Sequence, residues 1–305
     1  MLHALLAFGL LLGPATAPAA PTEPFRDPFR DGSGHGPIMV PIAAGQFEMG
    51  SRPTAPGFHP LEVPHPVALT AFAIGRTEVT NAEYARFLTD VGREADDDGV
   101  AYVDLDATGV RADAGRFHAR PDRAQRPVIG VSWRGARAYA DWLSAKTGAR
   151  YTLPTEARWE YAARAGSDAT WPWGIHFEAG RAVCGGEAHA EPAPVASAPA
   201  DRRGVHDLLG NVWEWTLDCF VPDFYHHAPR RDPQRLDPDC LAPVIRGGSF
   251  QDPPARCRPG FRANYWWRGA ASIGFRVARE LRRSVVPSTI VPSADVPFAR
   301  RSTQP

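Results

Sequence analysis

Apolar and polar positions follow a helical period in three stretches of this chain, and each stretch opens on a residue able to cap it. Thr80 or Asn81 starts NAEYARFL, Ser132 precedes WRGARAYADWLSAK, and Thr155 precedes EARWEYAARA. An oxygen at such a position accepts from the free amides of the first helical turn. Gly148 and Gly166 then stand where the second and third patterns stop, as a left-handed terminal residue requires. Trp133, Tyr139, Ala140, Trp142 and Leu143 share one face of the second stretch, while Trp159, Tyr161 and Ala162 belong to the third. Such stripes predict helices lying on a core. Strand signals are shorter, in IMVPIAAGQFEMGS and VALTAFAIGRTEV, where alternation is imperfect. From Gly166 to Arg276 the helical period is lost and Gly, Pro, Trp and Arg follow in short runs. Brief strands and irregular segments are expected there, held by side-chain packing and hydrogen bonds.

The chain ends read differently. An apolar run from Ala4 to Leu12 precedes small residues, with Ala15-Thr16-Ala17 as a cleavage site, so residues 1–20 read as a secretory signal. No later segment approaches the ~20 apolar residues of a membrane-spanning helix. Residues 21–36, rich in Pro, Asp and Gly, read as a linker, and residues 282–305 as a polar, disordered tail. Residues 37–281 show no repeat and no composition shift, so one domain is expected. Lys+Arg 34 balance Asp+Glu 34, which gives no global field for nucleic acid or an anionic membrane. Lys146 is the only lysine; the arginines suit bidentate pairs with carboxylates and stacking on the nine tryptophans. Export makes Cys184, Cys219, Cys240 and Cys257 candidates for disulfides. Cys219 with Cys240 is favoured, because the two bracket a Pro/Asp-rich loop; Cys184 and Cys257 are then free or paired together.

The densest chemical signal is GVHDLLGNVWEW, where a turn at Gly210-Asn211 folds Asp207 and Glu214 toward a hard cation. On spacing alone the structural reading is favoured, with Asp207 capping a turn, Glu214 meeting an arginine, and Trp213 and Trp215 in the core, because two carboxylates so spaced are a weak metal signal.

The order FEMGS, RTEVTNAEYARFL, RPVIGVSWRGARAYADWLSAKTGARYTLPTEARWEYAARAG, WPWG, GVHDLLGNVWEW, VIRGGSF and IGFRVARE resembles the formylglycine-generating enzyme family, or sulfatase-modifying factor family, over nearly the whole folded part. The resemblance implies a single compact α+β domain of the C-type-lectin-like kind, rich in irregular structure. It also implies calcium held by Asp207, Glu214 and the carbonyls of Gly210 and Val212. A second calcium known in the family is not expected, because Val183 stands near where an Asn is required. Active members oxidise a substrate cysteine to formylglycine with oxygen and copper(I), which two thiolates hold. Here the turn Gly247-Gly248-Ser249-Phe250 and Trp213 are kept and Cys257 matches the second thiolate, but Asp252 fills the slot of the first. A carboxylate is a hard donor for a soft ion, so copper is not expected.

Ser249, Cys257 and Trp213 remain candidate catalytic residues, with His206, His226 and His227 as further ones. Asp252, Arg262, Trp266 and Trp267 form a candidate substrate groove. Cys257 is expected to be a packed thiol or to bridge to Cys184. The functional expectation is a periplasmic or secreted, calcium-stabilised module that binds a peptide, protein partner or glycan. The alternative is a maturation enzyme with other oxidative chemistry on the same scaffold, since family relatives support ergothioneine assembly and siderophore maturation.

Overall fold

The computed structural model describes residues 21–185 and 190–281; the predicted signal and tail lie outside the described residues. Four short strands come first: β1 (Met39–Ile42), β2 (Gly45–Met49), β3 (His65–Leu69) and β4 (Phe72–Gly75). Helix α1 (Asn81–Val91) starts at Thr80, which exchanges hydrogen bonds with Glu83 in a capping box. The hairpin β5 (Val110–Asp113) and β6 (Arg116–Ala119) leads to α2 (Trp133–Thr147), capped by Ser132 and ended by Gly148 in the left-handed conformation. After β7 (Tyr151–Thr152), Thr155 caps α3 (Glu156–Arg164). That helix stops one residue before the pattern predicted, because Ala165 itself turns left-handed at φ 49°. Then come β8 (Trp213–Cys219), the single turn α4 (Phe224–His227), β9 (Pro243–Arg246), β10 (Arg262–Asn264), β11 (Ile273–Gly274) and β12 (Ala278–Glu280).

Two four-stranded sheets organise these pieces, in the orders β1-β4-β12-β7 and β10-β9-β8-β11. The last strand inserts between β4 and β7, so Ala278 lies opposite both Ile74 and Thr152. Among its described residues, the long stretch from Gly166 to β8 contains no helix and only isolated bridges, as its broken periodicity predicts. Tyr84, Phe87, Tyr139 and Phe275 form an edge-to-face aromatic core against α1 and α2. Trp159, Trp171 and Leu208 belong to a second core that includes α3. No helix among the described residues is long and apolar enough to cross a membrane.

The segment read as a linker is instead part of the packed unit. Phe25 pairs with Met39, Pro28 bridges to His35, and Phe29 is buried with its ring 5.7 Å from that of Trp142. Asp27 binds Arg279 and accepts from the Tyr151 hydroxyl at 2.6 Å. Its composition signals turns, but the two phenylalanines anchor those turns to the core.

Both disulfides close. Cys219 joins Cys240, and Cys184 joins Cys257 across 73 residues, leaving no free cysteine. The arginines pair inside the protein: Arg258 with Glu62, Arg262 with Glu156, and Arg246 with Glu160, all buried. Beside this network Asp218 accepts from the amides of Glu156 at 2.7 Å and Arg235 at 2.6 Å. Burial, then the nearby Glu156 carboxylate, raises its pKa to about 7 against those donors. A raised carboxyl pKa means that folding takes up a proton, so its contribution is present at low pH and is lost as pH rises toward 7. Asp218→Asn is therefore expected to flatten the fall in stability between about pH 4 and 7, whatever its absolute cost, in urea denaturation across pH. An unchanged slope would remove Asp218 as its source.

Candidate functional site

The turn between Asp207 and Asn211 runs through left-handed backbone at Asp207, Gly210 and Asn211, with φ of 55°, 82° and 57°. Gly210 has no room for a side chain: a Cβ there would sit 2.5 Å from both the Val183 carbonyl oxygen and Cys184 Sγ. The Gly210 amide donates to Gly247 O, the Asn211 amide to Val183 O, and the Phe250 amide to Asn211 O. The acidic turn, the Cys184 segment and the Gly-Gly-Ser turn are thus hydrogen-bonded into one piece.

Glu214 is fully buried on β8 and is not free to point at a cation. Arg276 binds it through Nε and Nη2 at 2.7–2.9 Å, and the Trp159 indole donates to Oε2 at 2.8 Å. The arginine alternative therefore describes Glu214. Asp207 behaves differently: Oδ2 accepts from the Ala196 amide, while buried Oδ1 has no partner among the described residues. Glu78, which the sequence reading did not single out, stands in the same cluster. Its Oε1 accepts from Asn211 Nδ2 at 3.0 Å, and its buried Oε2 has no partner among the described residues. Burial first, and Asp207 second, push the Glu78 carboxyl well above its usual range; burial also raises Asp207. Only its position in the RTEVTN segment could have pointed to Glu78, since nothing in the local pattern distinguishes it from a surface acid.

The second group of predicted residues converges on Asp252, which is 8% exposed. Its Oδ2 accepts from Ser249 Oγ at 2.6 Å, the Ser249 amide at 3.1 Å and Trp213 Nε1 at 2.8 Å; Arg256 reaches Oδ1. Ser249 and Cys257 are fully buried, and the Cys257 sulfur is spent in its bridge to Cys184. The structure therefore brings Ser249, Trp213, Asp252 and Cys257 together, but as a closed and satisfied network. His206 instead faces the Ala198 carbonyl, and His226 and His227 are exposed on α4. None of these three histidines hydrogen-bonds to the Asp252 cluster among the described residues.

The predicted groove separates into parts. Arg262 is a correction: it is buried, bidentate to Glu156, with its guanidinium 4.0 Å from the Tyr225 ring centroid. Asp252 is likewise interior. Trp266 is 52% exposed beside Tyr265 at 43%, and Trp267 is half-buried, near the Arg134 and Arg268 guanidiniums. Tyr265 and Trp267 donate backbone hydrogen bonds to Pro243 and Leu241, which places exposed Leu241 next to the aromatic pair. Among the described residues, no group of three or more His, Cys, Asp or Glu side chains is arranged to hold a metal.

Comparison with known proteins places this arrangement. Residues 24–281 match the sulfatase-modifying factor enzyme 1-like domain. The formylglycine-generating enzyme of Streptomyces coelicolor is 33% identical over 313 residues, covering 87% of this chain and 96% of that protein. Serine/threonine-protein kinase Pkn1 of Chlamydia trachomatis is 31% identical over 258 residues, covering 80% of this chain; the match spans only 38% of the kinase. Among solved structures, PvdO from Pseudomonas aeruginosa superposes with a TM-score of 0.70 at 32% identity, over 87% of this chain and 100% of that one.

Proposed function

The chain belongs to the sulfatase-modifying factor family, and within it we propose an exported, calcium-stabilised binding module that does not form formylglycine through copper. The observation that carries this reading is the state of the family's thiolate position: Cys257 is in a disulfide, and Asp252 turns its carboxylate onto Ser249 and Trp213. Copper(I) wants two soft sulfurs, and a hard carboxylate that already accepts from four donors, three of them on Oδ2, does not supply that softness. Two disulfides suit an oxidising compartment, which supports export. Tyr265, Trp266 and Leu241 supply an exposed surface for a peptide or protein partner or a glycan.

Calcium fits the acidic turn only in part. Asp207 and Glu78 each offer an unpartnered buried oxygen, and the Gly210 and Val212 carbonyls lie in the same turn. Glu214 does not fit as a ligand, since Arg276 occupies it. A calcium ion would add to the countercharge that Arg276 gives to Glu78 and Asp207 as well as to its partner Glu214. If it binds with the ligand near 100 times Kd, chelation should cost about 2.7 kcal/mol, or roughly 5–10 °C in Tm, and Asp207→Ala should abolish that response. A melting curve unmoved by chelator would remove calcium from the reading.

The catalytic half is tested directly. The reduced and the oxidised chain are each incubated with copper(I), oxygen and a Cys-x-Pro-x-Arg peptide, and the product is analysed by mass spectrometry. No aldehyde is expected; aldehyde that disappears in Cys257→Ser would overturn the proposal. Copper or iron at one per purified chain would favour the alternative of a maturation enzyme.

A further inference from the structure

A cleft of about 310 Å³ opens where α3 ends, with Asp207 of the acidic turn among its lining residues. One wall is Pro172 and Trp173, another is Pro199 and Ala200, and Leu208 and Leu209 form part of its lining. Trp173 is set in place by the protein itself. It stacks on buried Trp171 at 5.7 Å and 10°, and its indole N–H donates to His176 O. With that N–H already used, the ring has only its carbon surface to offer a ligand.

Arg202 lines the same cleft and is exposed. Its guanidinium lies over Gly166, in the space that a side chain there would fill. Among the described residues no carboxylate pairs with it. The neighbouring Asp201 is committed to Arg203 and to the amides of Arg203 and Val205. Arg181, also in the lining, has its guanidinium 5.9 Å from the Trp173 centroid and pairs with exposed Glu178. Asp201 and Asp207 line the cleft as well; with Asp201 held by Arg203 and one Asp207 oxygen held by the Ala196 amide, Arg202 is the lining cation left without an ion-pair partner among the described residues.

The last turn of α3 contributes the opposite polarity. A helix C-terminus leaves carbonyls without intrahelical partners. Ala162 O accepts from Ala165, and Arg164 O from Ser167, but the carbonyls of Ala163 and Ala165, both lining residues, accept no hydrogen bond from the described residues beyond the helix. A ligand that satisfies all three features carries an anion for Arg202, hydroxyl donors for the carbonyls, and a ring with an apolar face for Trp173. We propose that this cleft binds an acidic saccharide of the uronic-acid type, its carboxylate on Arg202 and its pyranose face on Trp173. An aromatic acid would meet the arginine and the tryptophan but leave the carbonyls unsatisfied, and a neutral sugar would leave the arginine so. The volume accommodates a small ligand rather than a folded partner.

The test uses the full, oxidised chain and trigalacturonic acid, titrated by calorimetry and by tryptophan fluorescence, with maltotriose and benzoate as controls. Saturable binding of the acidic trisaccharide is expected, at least about tenfold tighter than either control. Arg202→Glu, an exposed change that should leave the melting curve in place, is expected to weaken it by about tenfold or more. Trp173→Ala should weaken it as well, and Trp173→Phe should recover part of the loss. No saturation at millimolar concentration, equal binding by Arg202→Glu, or equal binding of benzoate would each overturn the assignment.

Discussion

Replacing Arg276 with alanine is expected to destabilise the domain by about 3–5 kcal/mol, the cost of leaving a buried charge without its partner. Arg276 is fully buried, holds Glu214 through the Nε and Nη2 edge of its guanidinium, and donates to the carbonyls of Gly75 and His206. Its removal leaves Glu214 beside Glu78 and Asp207, three interior carboxylates with no cation between them. Urea denaturation with and without calcium reads both consequences. The loss should be large in chelator and partly recovered by calcium, because a cation at Asp207 and Glu78 offsets the same repulsion. A loss below about 1 kcal/mol would mean that the cluster is solvated rather than buried.

Removing the Cys184–Cys257 bridge, as the double alanine variant with Cys219 and Cys240 intact, is expected to cost about 4 kcal/mol in the chain-entropy account of a closed loop. The two cysteines are 73 residues apart, so the bridge excludes many conformations of the unfolded chain. It also has a local task. Cys184 packs against Gly210, and Val183 accepts from Asn211, so the bridge holds the segment against which the acidic turn is built. The double variant should therefore lose part of its calcium response as well as its stability. Denaturation midpoints and chelator sensitivity measured on one sample separate the two effects, and a variant as stable as the parent would show that the bridge does not form.

The helices and their caps were legible because they are local: Thr80, Ser132 and Thr155 each bond to an amide three residues on, and that spacing is written in the chain. The resemblance carried the family, and the two-cysteine loop suggested Cys219–Cys240. The same local logic failed for residues 21–36, whose prolines and glycines are visible in sequence but whose anchoring depends on where Phe25 and Phe29 land.

By itself, then, the sequence determined the capped helices and the irregular stretch after Gly166, since each is a matter of residue type and short spacing, while the family resemblance carried the α+β class and the reading of Asp252 as standing in a thiolate's slot. Only the tertiary structure decided what those residues do. Glu214 went to Arg276, 62 residues away, and Arg262 to Glu156, 106 residues away. A carboxylate has the same sequence signature whether it meets a metal, an arginine or water. Which one it meets is fixed by long-range packing that buries it, because in a low-dielectric interior an ion must take whatever countercharge the fold brings within reach.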